Sequence, residues 1–392
     1  MLSDVDVQGK RVFIRVDFNV PFDENGNIAD DSRIRGALPT IQYVLDKGGK
    51  VVLASHIGRP KGEKKPSLSM KLLENRVGEL LKTTVKSLDD CVGSDVESEV
   101  NNLNPGEALL LENLRFYKEE EENDQGFARQ LAALADLYVN DAFGTAHRAH
   151  ASTAGITEHI PLSVAGFLMQ KEIDSFNSSV SAPERPVAVI LGGAKASTKI
   201  GVLKNLVGKV DKIIMGGGLA FTFLKAMGYR TGAGRVEEDM LGMVRGVMDN
   251  ARDLGVKFYL PVDFISSEKI DETSPLRVVS AQEIPDGWLC PDIGPATSLL
   301  FSEALQGVRT VIWNGPMGVF EIERFSRGTM EMVKSVTSLD ALTVVGGGDT
   351  DLALHMAGKS DQVSFVSTGG GAYLELLEGK ALPGIEMLTE RP

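Results

Sequence analysis

The chain has 392 residues, of which 43% are apolar and 6% aromatic, and this length predicts two domains of about 150–200 residues each rather than one core. The net charge of -13 disfavours a nucleic-acid-binding protein but leaves an anionic substrate possible where arginines cluster. Two cysteines without a Cys-x-x-Cys pair, no signal-peptide pattern and no apolar run of about 18 residues lead us to expect a cytoplasmic protein without a membrane partner.

Short, nearly continuous apolar runs predict strands buried on both faces, and helix-period segments lie between them. In the first half the predicted elements are, in chain order, strand 11–16, helix 33–47, strand 51–55, helix 70–81, strand 108–111, helix 127–135 and strand 137–140. In the second half they are strand 187–191, helix 199–206, strand 212–215, helices 220–227 and 237–254, strand 258–260, helix 298–305, strand 310–313, helix 327–336 and strands 342–345 and 363–366. Strand–helix alternation in both halves predicts an α/β fold with two parallel sheets.

A helical stretch followed by a polar, proline-containing exit separates the two halves. We expect a first domain at residues 1–168, an interdomain helix and linker at 169–182, and a second domain at 183–371. Residues 372–392 end the chain as an irregular tail.

Glycine runs follow the predicted strands of the second half. In open α/β sheets, ligands bind beyond the carboxyl ends of the strands, and all three Gly-Gly-Gly runs, at 216–218, 346–348 and 369–371, lie at such ends. Glycine lets the backbone approach a ligand closely, and a helix N-terminus that follows it can bind phosphate. One such turn is more often a simple tight connection, but several in one domain favour a nucleotide site.

Cationic side chains follow the predicted strands of the first half instead. They are Arg33, His56, Arg59, Arg115, His147, Arg148 and His150. Each arginine alone is more often a surface ion pair, but guanidinium groups match phosphate and carboxylate oxygens, and their shared position favours an anion site. His147 and His150 are three residues apart, yet no third metal ligand lies nearby in the sequence. The residues thus predict phosphoryl transfer between a nucleotide and a small anion.

Ten motifs occur in order along essentially the whole chain: RVDFNVP, SHIGRPKG, ENLRF, NDAFGTAHRAHAS, LGGAKASTKI, GGGLAFTFL, DIGP, WNGPMGVFE, VGGGDT and STGGGA. Together they resemble the phosphoglycerate kinase family. The resemblance implies reversible transfer of a phosphoryl group between 1,3-bisphosphoglycerate and ADP, giving 3-phosphoglycerate and ATP, with Mg²⁺. It also implies a monomer with two Rossmann-like domains joined by a hinge helix, with the C-terminal tail returning to the first domain.

The resemblance assigns roles to individual residues of this chain. Phosphoglycerate would bind at Asp17, Asn19, Arg33, His56, Arg59, Arg115 and Arg148. The nucleotide would bind at Lys195, Lys199, Gly217, Gly218, Asn314, Glu321, Gly347, Gly348, Asp349 and Thr350, with Asp349 facing the magnesium ion. The catalytic group would comprise Arg33, Lys199 and Gly371.

The sequence disfavours two other functions. An NAD-dependent dehydrogenase needs a Gly-x-Gly-x-x-Gly turn after a strand and an acidic residue about 20 positions later, and the sequence has neither. A nucleotide-binding regulatory protein without catalysis would not need Arg33, Lys199 and Asp349, all of which are present. A P-loop NTPase and a protein kinase are disfavoured, since the Gly-x-x-x-x-Gly-Lys-[Ser/Thr], His-Arg-Asp and Asp-Phe-Gly motifs are absent.

Overall fold

The computed structural model describes residues 1–389 and divides into two compact units. The first unit comprises Met1–Asp174 together with the segment that begins at Ala381, and the second comprises Ser175–Lys380. In the sequence, the second unit therefore lies between the two segments that form the first unit.

The first unit contains six strands and seven α-helices among the described residues. They are β1 (Arg11–Val16), α1 (Ser32–Asp46), β2 (Lys50–Ala54), α2 (Glu74–Leu81), β3 (Val85–Ser87), α3 (Ser94–Asn101), β4 (Ala108–Leu110), α4 (Lys118–Glu121), α5 (Gln125–Ala132), β5 (Leu137–Asp141), β6 (Ser163–Ala165) and α6 (Phe167–Phe176), with α14 (Pro383–Glu386) in the returning segment.

All neighbouring strands of the first sheet are parallel, in the order β3-β4-β2-β1-β5-β6. Successive residues of β1 point to opposite faces, and both faces are covered. Val12 and Ile14 pack in one core cluster with Ile34 of α1, whereas Phe13 packs in the other with Phe127 of α5. This double burial explains why the strand sequences are continuously apolar.

The second unit contains nine strands and seven α-helices. They are β7 (Val187–Leu191), α7 (Ile200–Leu206), β8 (Lys212–Met215), α8 (Ala220–Ala226), α9 (Leu241–Asp253), β9 (Lys257–Tyr259), β10 (Asp263–Ser267), β11 (Leu276–Ser280), β12 (Leu289–Ile293), α10 (Pro295–Ala304), β13 (Thr310–Asn314), α11 (Arg327–Thr337), β14 (Leu342–Gly346), α12 (Gly348–Met356), β15 (Phe365–Ser367) and α13 (Gly370–Leu377).

Six of these strands form a parallel sheet in the order β15-β14-β13-β7-β8-β9, which is the Rossmann order. The chain leaves β7 toward one edge through β8 and β9, and it later builds the other edge from β13 through β15. The strand order therefore reverses between β7 and β13, and the predicted α/β fold with two parallel sheets is confirmed. The sequence reading missed a separate antiparallel sheet, in the order β11-β10-β12.

Several predicted elements differ from the structure at their ends. The predicted helix 70–81 is a 3₁₀ turn at Met70–Leu73 followed by α2. The strands β3 and β6 and the helix α3 were not predicted. Residues 372–380, expected to begin the tail, belong to the second unit and lie largely in α13.

The helix α6 starts from a buried capping carboxylate at the end of β5. Asp141 Oδ1 accepts the backbone N–H groups of Leu168 and Met169 at 2.9 and 3.2 Å, and Phe167 N–H donates to Thr40 Oγ1 at 2.8 Å. Burial raises the pKa of Asp141 to about 6. A π-helical turn at Asn177–Ser181 follows α6, so the chain passes between the units within one continuous helical segment.

The returning segment is held to the first unit by polar contacts. Asn140 Nδ2 donates to the carbonyl of Gly384 at 2.9 Å. Ser163 and Thr389 exchange two bonds, with Ser163 N–H donating to Thr389 Oγ1 at 3.0 Å and Thr389 N–H donating to the Ser163 carbonyl at 2.7 Å. The last residues described thus attach to the edge strand β6.

Candidate active site

In the first unit, the turn after β1 collects several of the predicted anion-binding residues. Asp17 forms an ion pair with Arg33 in the first turn of α1, and Asp17 Oδ1 accepts the N–H of Asn19 at 3.2 Å. Asn19 Oδ1 in turn accepts the N–H of Gly58, in the loop after β2, at 2.8 Å. The ends of β1 and β2 and the start of α1 are therefore joined through polar side chains.

Arg115, in the turn after β4, contacts the same loop. Its Nη1 donates to the Gly58 carbonyl at 3.0 Å, and its Nε lies 3.5 Å from Glu121 Oε1. Burial lowers the pKa of Arg115 to about 10, and the charges of Arg15 and Arg148 act in the same direction. A guanidinium held among other cations is well suited to an anion, which relieves their mutual repulsion.

His56 is 3% exposed and lies against Arg15, which is fully buried. Arg15 Nη2 is 3.3 Å from His56 Nδ1. Burial lowers the pKa of His56 well below its ordinary value, and the cations Arg15, Arg115 and Arg33 lower it further. His56 is therefore a neutral ring at physiological pH.

The remaining two predicted anion ligands are less constrained. Arg148 is half-buried, and its Nε donates to His147 Nε2 at 3.2 Å. Arg59 is exposed, and its guanidinium makes no hydrogen bond or ion pair with any residue of the described range 1–389. The structure thus links four of the seven predicted residues, Asp17, Asn19, Arg33 and Arg115, through shared contacts. His56 and Arg148 act on Arg115, or are acted on by it, through charge, and Arg59 is exposed to solvent.

In the second unit, the backbone turns after β7 and β13 meet closely. A Cβ on Gly192 would lie 2.0 Å from the Pro316 carbonyl oxygen, and a Cβ on Gly315, whose φ is +100°, would lie 2.3 Å from the Gly192 carbonyl oxygen. Only glycine permits this approach. It falls where the strand order reverses, the position at which α/β sheets bind ligands.

Lys199 lies beside this turn and contacts the end of β13. Its Nζ donates to Asn314 Oδ1, and Asn314 Nδ2 donates to the Gly346 carbonyl at 2.8 Å. Burial lowers the pKa of Lys199 to about 8, although the carboxylates of Asp349 and Glu378 oppose this shift. Lys195 is exposed immediately before the 3₁₀ turn Ala196–Thr198.

Two helix N-termini lie next to each other in the same unit. Gly347, with φ of +96°, is the N-cap of α12, and Gly369 is the N-cap of α13. A Cβ on Gly370 would lie only 3.9 Å from Gly347 Cα. Thr350 Oγ1 accepts the N–H of Gly315 at 2.8 Å, which joins α12 to the end of β13. Paired N-termini present unsatisfied N–H donors and the positive ends of two dipoles.

Gly348, Asp349 and Gly371 are exposed at these N-termini. Asp349 stands in the first turn of α12. No group of three or more potential metal-ligating side chains occurs among residues 1–389. A single carboxylate at a helix N-terminus nevertheless fits magnesium, which is usually bound by one or two carboxylates together with substrate phosphates and water.

A largely apolar cavity of about 370 Å³ opens beside the glycine turns. Its lining includes Gly193, Gly217, Gly218, Phe221, Arg235, Leu289, Cys290, Pro291, Val319, Glu321 and Asp349. A Cβ on Gly217, whose φ is +67°, would lie 2.8 Å from both the N and O atoms of Gly193. The cavity has the size and apolar surface for a nucleobase, with Glu321 and Asp349 at its lining.

Within the described residues, no helix is both long and apolar enough to cross a membrane.

The profile of the phosphoglycerate kinase family matches residues 2–380. The chain belongs to the phosphoglycerate kinase family. It is 55% identical over 384 residues to the phosphoglycerate kinase of Geobacter metallireducens, covering 98% of this chain and 96% of that protein. It is 52% identical over 390 residues to that of Aquifex aeolicus, covering 100% of this chain and 98% of that protein.

Solved structures agree with this assignment. The phosphoglycerate kinase from Coxiella burnetii matches with a TM-score of 0.91 and 40% identity, covering 98% of this chain and 97% of that chain. The Pyrococcus horikoshii phosphoglycerate kinase matches with a TM-score of 0.82 and 32% identity, covering 99% and 98%.

Phosphoglycerate kinases are phosphotransferases with a carboxyl group as acceptor, and this is the activity of the chain, with a role in glycolysis. The prediction from the ten motifs is confirmed at the level of family and reaction. Neither the dehydrogenase nor the non-catalytic regulatory alternative is supported by these matches.

Sequence reasoning missed several residues around the two sites. Arg15 lies within the strand β1, and its contact partners Ser152 and His56 are distant from it in sequence. Arg235 and Phe221 line the apolar cavity, yet Arg235 follows no strand. The motif RVDFNVP contains Arg15, so a charged residue within a strand-like run was the available signal.

Proposed function

We propose that the second unit binds ADP or ATP with magnesium and that the first unit binds 3-phosphoglycerate or 1,3-bisphosphoglycerate. The observation that carries this proposal is the position of Lys199. Its partly buried ammonium group contacts Asn314 at the reversal of strand order, where glycine turns approach each other and an apolar cavity opens.

The nucleotide lies with its base in the apolar cavity and its phosphates toward the paired N-termini of α12 and α13. Gly217 and Gly218 border the base, and Glu321 serves the ribose hydroxyls. Gly347, Gly348 and Thr350 cradle the phosphates, with Lys195 and Lys199 as their cationic partners. When bound, magnesium would be held by Asp349 and would neutralise phosphate charge.

The phosphoglycerate lies with its anionic groups against the guanidinium groups of the first unit. Arg33, Arg115 and Arg148 supply bidentate donors, and the exposed Arg59 binds the substrate at the edge of this site. Asp17 orients Arg33 through their ion pair, and Asn19 fixes the loop at Gly58. His56 contributes a neutral N–H donor.

In the ATP-forming direction, a terminal phosphate oxygen of ADP attacks the acyl phosphate of 1,3-bisphosphoglycerate. A P–O bond forms to ADP, the P–O bond to the acyl oxygen breaks, and the leaving electron pair remains on the carboxylate of 3-phosphoglycerate. No proton needs to be removed from the attacking oxygen, so no general base is assigned. The protein's task is alignment and stabilisation of charge, which we assign to Lys199, Arg33 and the N–H of Gly371.

Direct transfer requires the two bound ligands to meet with water excluded. We propose that bending around residues 168–178 and at 367–368 supplies this step. Small-angle scattering with both ligands should show compaction relative to the protein with neither. An unchanged radius of gyration would count against hinge bending.

A coupled assay with ADP and 1,3-bisphosphoglycerate tests the assigned substrates, and ATP should form only when both and Mg²⁺ are present. An absence of ATP formation in a folded protein would refute the proposal. We further propose a cytoplasmic monomer without nucleic-acid or membrane partners, as family membership suggests. Sedimentation at working concentration should give one species of 42.2 kDa.

A further inference from the structure

A chain of buried polar groups lies beneath the predicted phosphoglycerate site. Arg15 is fully buried on β1, and its Nε donates to Ser152 Oγ at 2.8 Å. Its Nη1 donates to the carbonyl of Val16, and its Nη2 faces His56 Nδ1 at 3.3 Å. All three guanidinium nitrogens are therefore committed, and Arg15 can neither rotate nor reach solvent without breaking these contacts.

A buried carboxylate supports this arginine from the other side of Ser152. Glu120 is fully buried on α4. Its Oε1 accepts the Ser152 hydroxyl at 2.6 Å, and its Oε2 accepts the Ser152 N–H at 2.9 Å. Burial opposes ionisation of Glu120, but His150 and Arg15 hold its pKa below the ordinary value. The carboxylate thus balances the charge of Arg15.

The contact between Arg15 and His56 constrains the imidazole ring. A guanidinium group has only donors and does not lose its proton in proteins. His56 Nδ1 must therefore accept, and the proton of the neutral ring must lie on Nε2. The charges of Arg33, Arg115 and His150 also lower the pKa of this ring, which disfavours a second proton. His56 Nε2 makes no hydrogen bond to the described residues 1–389.

We propose that Arg15, held in place through Ser152 by Glu120, is a positioning residue that fixes His56 as the Nε2-protonated neutral tautomer, so that Nε2–H donates to an oxygen of the substrate. The inference rests on the proposed binding of phosphoglycerate beside His56. It adds a role for three residues that sequence reasoning did not assign. Because the ring is neutral, its contribution to binding does not vary with pH across the range in which a free histidine titrates.

The tautomer is measured directly by ¹⁵N nuclear magnetic resonance on the full chain labelled at histidine, without ligands. We expect His56 Nδ1 to have the shift of an unprotonated ring nitrogen and Nε2 that of a protonated one, unchanged between pH 6 and 8. Arg15→Met removes the donor and should give a mixture of tautomers that titrates in this range. Ser152→Ala should shift the spectrum in the same direction by less.

Arg11→Met is the matched control, because Arg11 lies on the same strand but pairs with Asp136. It should leave the His56 signals unchanged. A proton on Nδ1 in the unsubstituted protein, or a fixed Nε2 tautomer in folded Arg15→Met, would overturn the proposal. An unchanged spectrum in Ser152→Ala would overturn the support assigned to Ser152 and Glu120.

A second experiment tests by steady-state kinetics whether His56 Nε2–H donates to the substrate. It does not require the Arg15 variants to fold. The side-chain nitrogen of glutamine can occupy the place of Nε2, whereas that of asparagine falls nearer Nδ1. His56→Gln should keep the KM for 3-phosphoglycerate within about threefold, and His56→Asn should raise it about tenfold to a hundredfold, as for a lost hydrogen bond to a charged group. The reverse order would overturn the proposal.

The two experiments separate this inference from the proposed function. If the tautomer is fixed as expected but neither His56 variant changes the KM, the substrate does not use His56 and the assigned binding site fails, and with it the donor role. If the KM values follow the expected order while Nδ1 carries the proton, the binding site stands and the positioning role of Arg15 is refuted.

Discussion

Replacing Lys199 by alanine tests the role of the group at the reversal of strand order. The ammonium group is partly buried and is held on Asn314. It is thus preorganised toward the place where charge develops in transfer. Loss of one such donor costs about 10²–10³-fold in turnover, or about 3–4 kcal/mol. We expect Lys199→Ala to lose this factor in kcat while its affinity for ADP, held mainly by the base cavity and the N-termini, changes by less than about threefold.

The lowered pKa of Lys199 also predicts a pH dependence of turnover. With a pKa of about 8, about ten of eleven molecules carry the charge at pH 7, but only about one of eleven at pH 9. Turnover of the unsubstituted protein should therefore fall as pH rises through 8, whereas Lys199→Arg, which stays charged, should show a flatter profile.

The coupled assay gives kcat across pH 6–9.5, with excess coupling enzyme at each pH, and equilibrium dialysis gives the ADP affinity. Lys225→Ala is a suitable control, since Lys225 is an exposed lysine near the end of α8. Near-normal turnover in Lys199→Ala, or a loss confined to ADP affinity, would refute the role assigned to this ammonium group.

Three further predictions concern other parts of the two units. Asp349→Asn should raise the Mg²⁺ concentration for half-maximal turnover about tenfold, equivalent to about 1.4 kcal/mol. Asp351→Asn, in the same helical turn, should leave this concentration unchanged. Equal effects of the two variants in a magnesium titration would contradict the role assigned to Asp349. Gly217→Ala should lower the melting temperature and weaken ADP binding, because φ is +67° and the new Cβ would lie 2.8 Å from Gly193. The cost should be about 1–3 kcal/mol. Gly242→Ala, where a new Cβ meets no atom within 4 Å, is the control, and equal melting temperatures of the two variants would contradict this prediction. Burial raises the pKa of Asp141 to about 6, so this carboxyl group binds more protons in the folded than in the unfolded state between pH 4 and 6, and its contribution to stability should fall as pH rises through this window. Asp141→Asn keeps an acceptor for α6, and the unsubstituted protein should lose up to about 3 kcal/mol relative to this variant between pH 4 and 7 in urea unfolding. The same pH dependence in both proteins would be inconsistent with a buried ionised Asp141.

The two parallel sheets could be predicted because their strands are buried on both faces and read as continuous apolar runs. The antiparallel sheet could not, since β11 is mostly exposed and has no such run. The three-residue strands β3 and β6 include the polar residues Lys86, Ser87 and Ser163, so neither forms a continuous apolar run. The helices α12 and α13 begin in glycine runs, which local propensity counts against a helix.

The site residues that could be predicted from the sequence lie at or shortly beyond strand ends, such as Asn314 at the end of β13 and Arg115 in the turn after β4. Their position beyond a strand end is encoded locally. Arg15 and Glu120 are different, because their roles depend on contacts with residues 152 and 56 that only the folded chain brings together. A buried ion network has no sequence period, so it could be found only from the structure.

The attachment of residues 381–389 to β5 and β6 has a consequence for synthesis on the ribosome. The first unit lacks its Gly384 and Thr389 contacts until the 206 residues of Ser175–Lys380 have been translated. At about 5–20 residues per second, this delay is about 10–40 s. During that time Asn140 Nδ2 and the Ser163 edge of β6 lack their final partners. The second unit, which is continuous in sequence, can complete its own contacts first, so the half that begins the chain is the last to be finished.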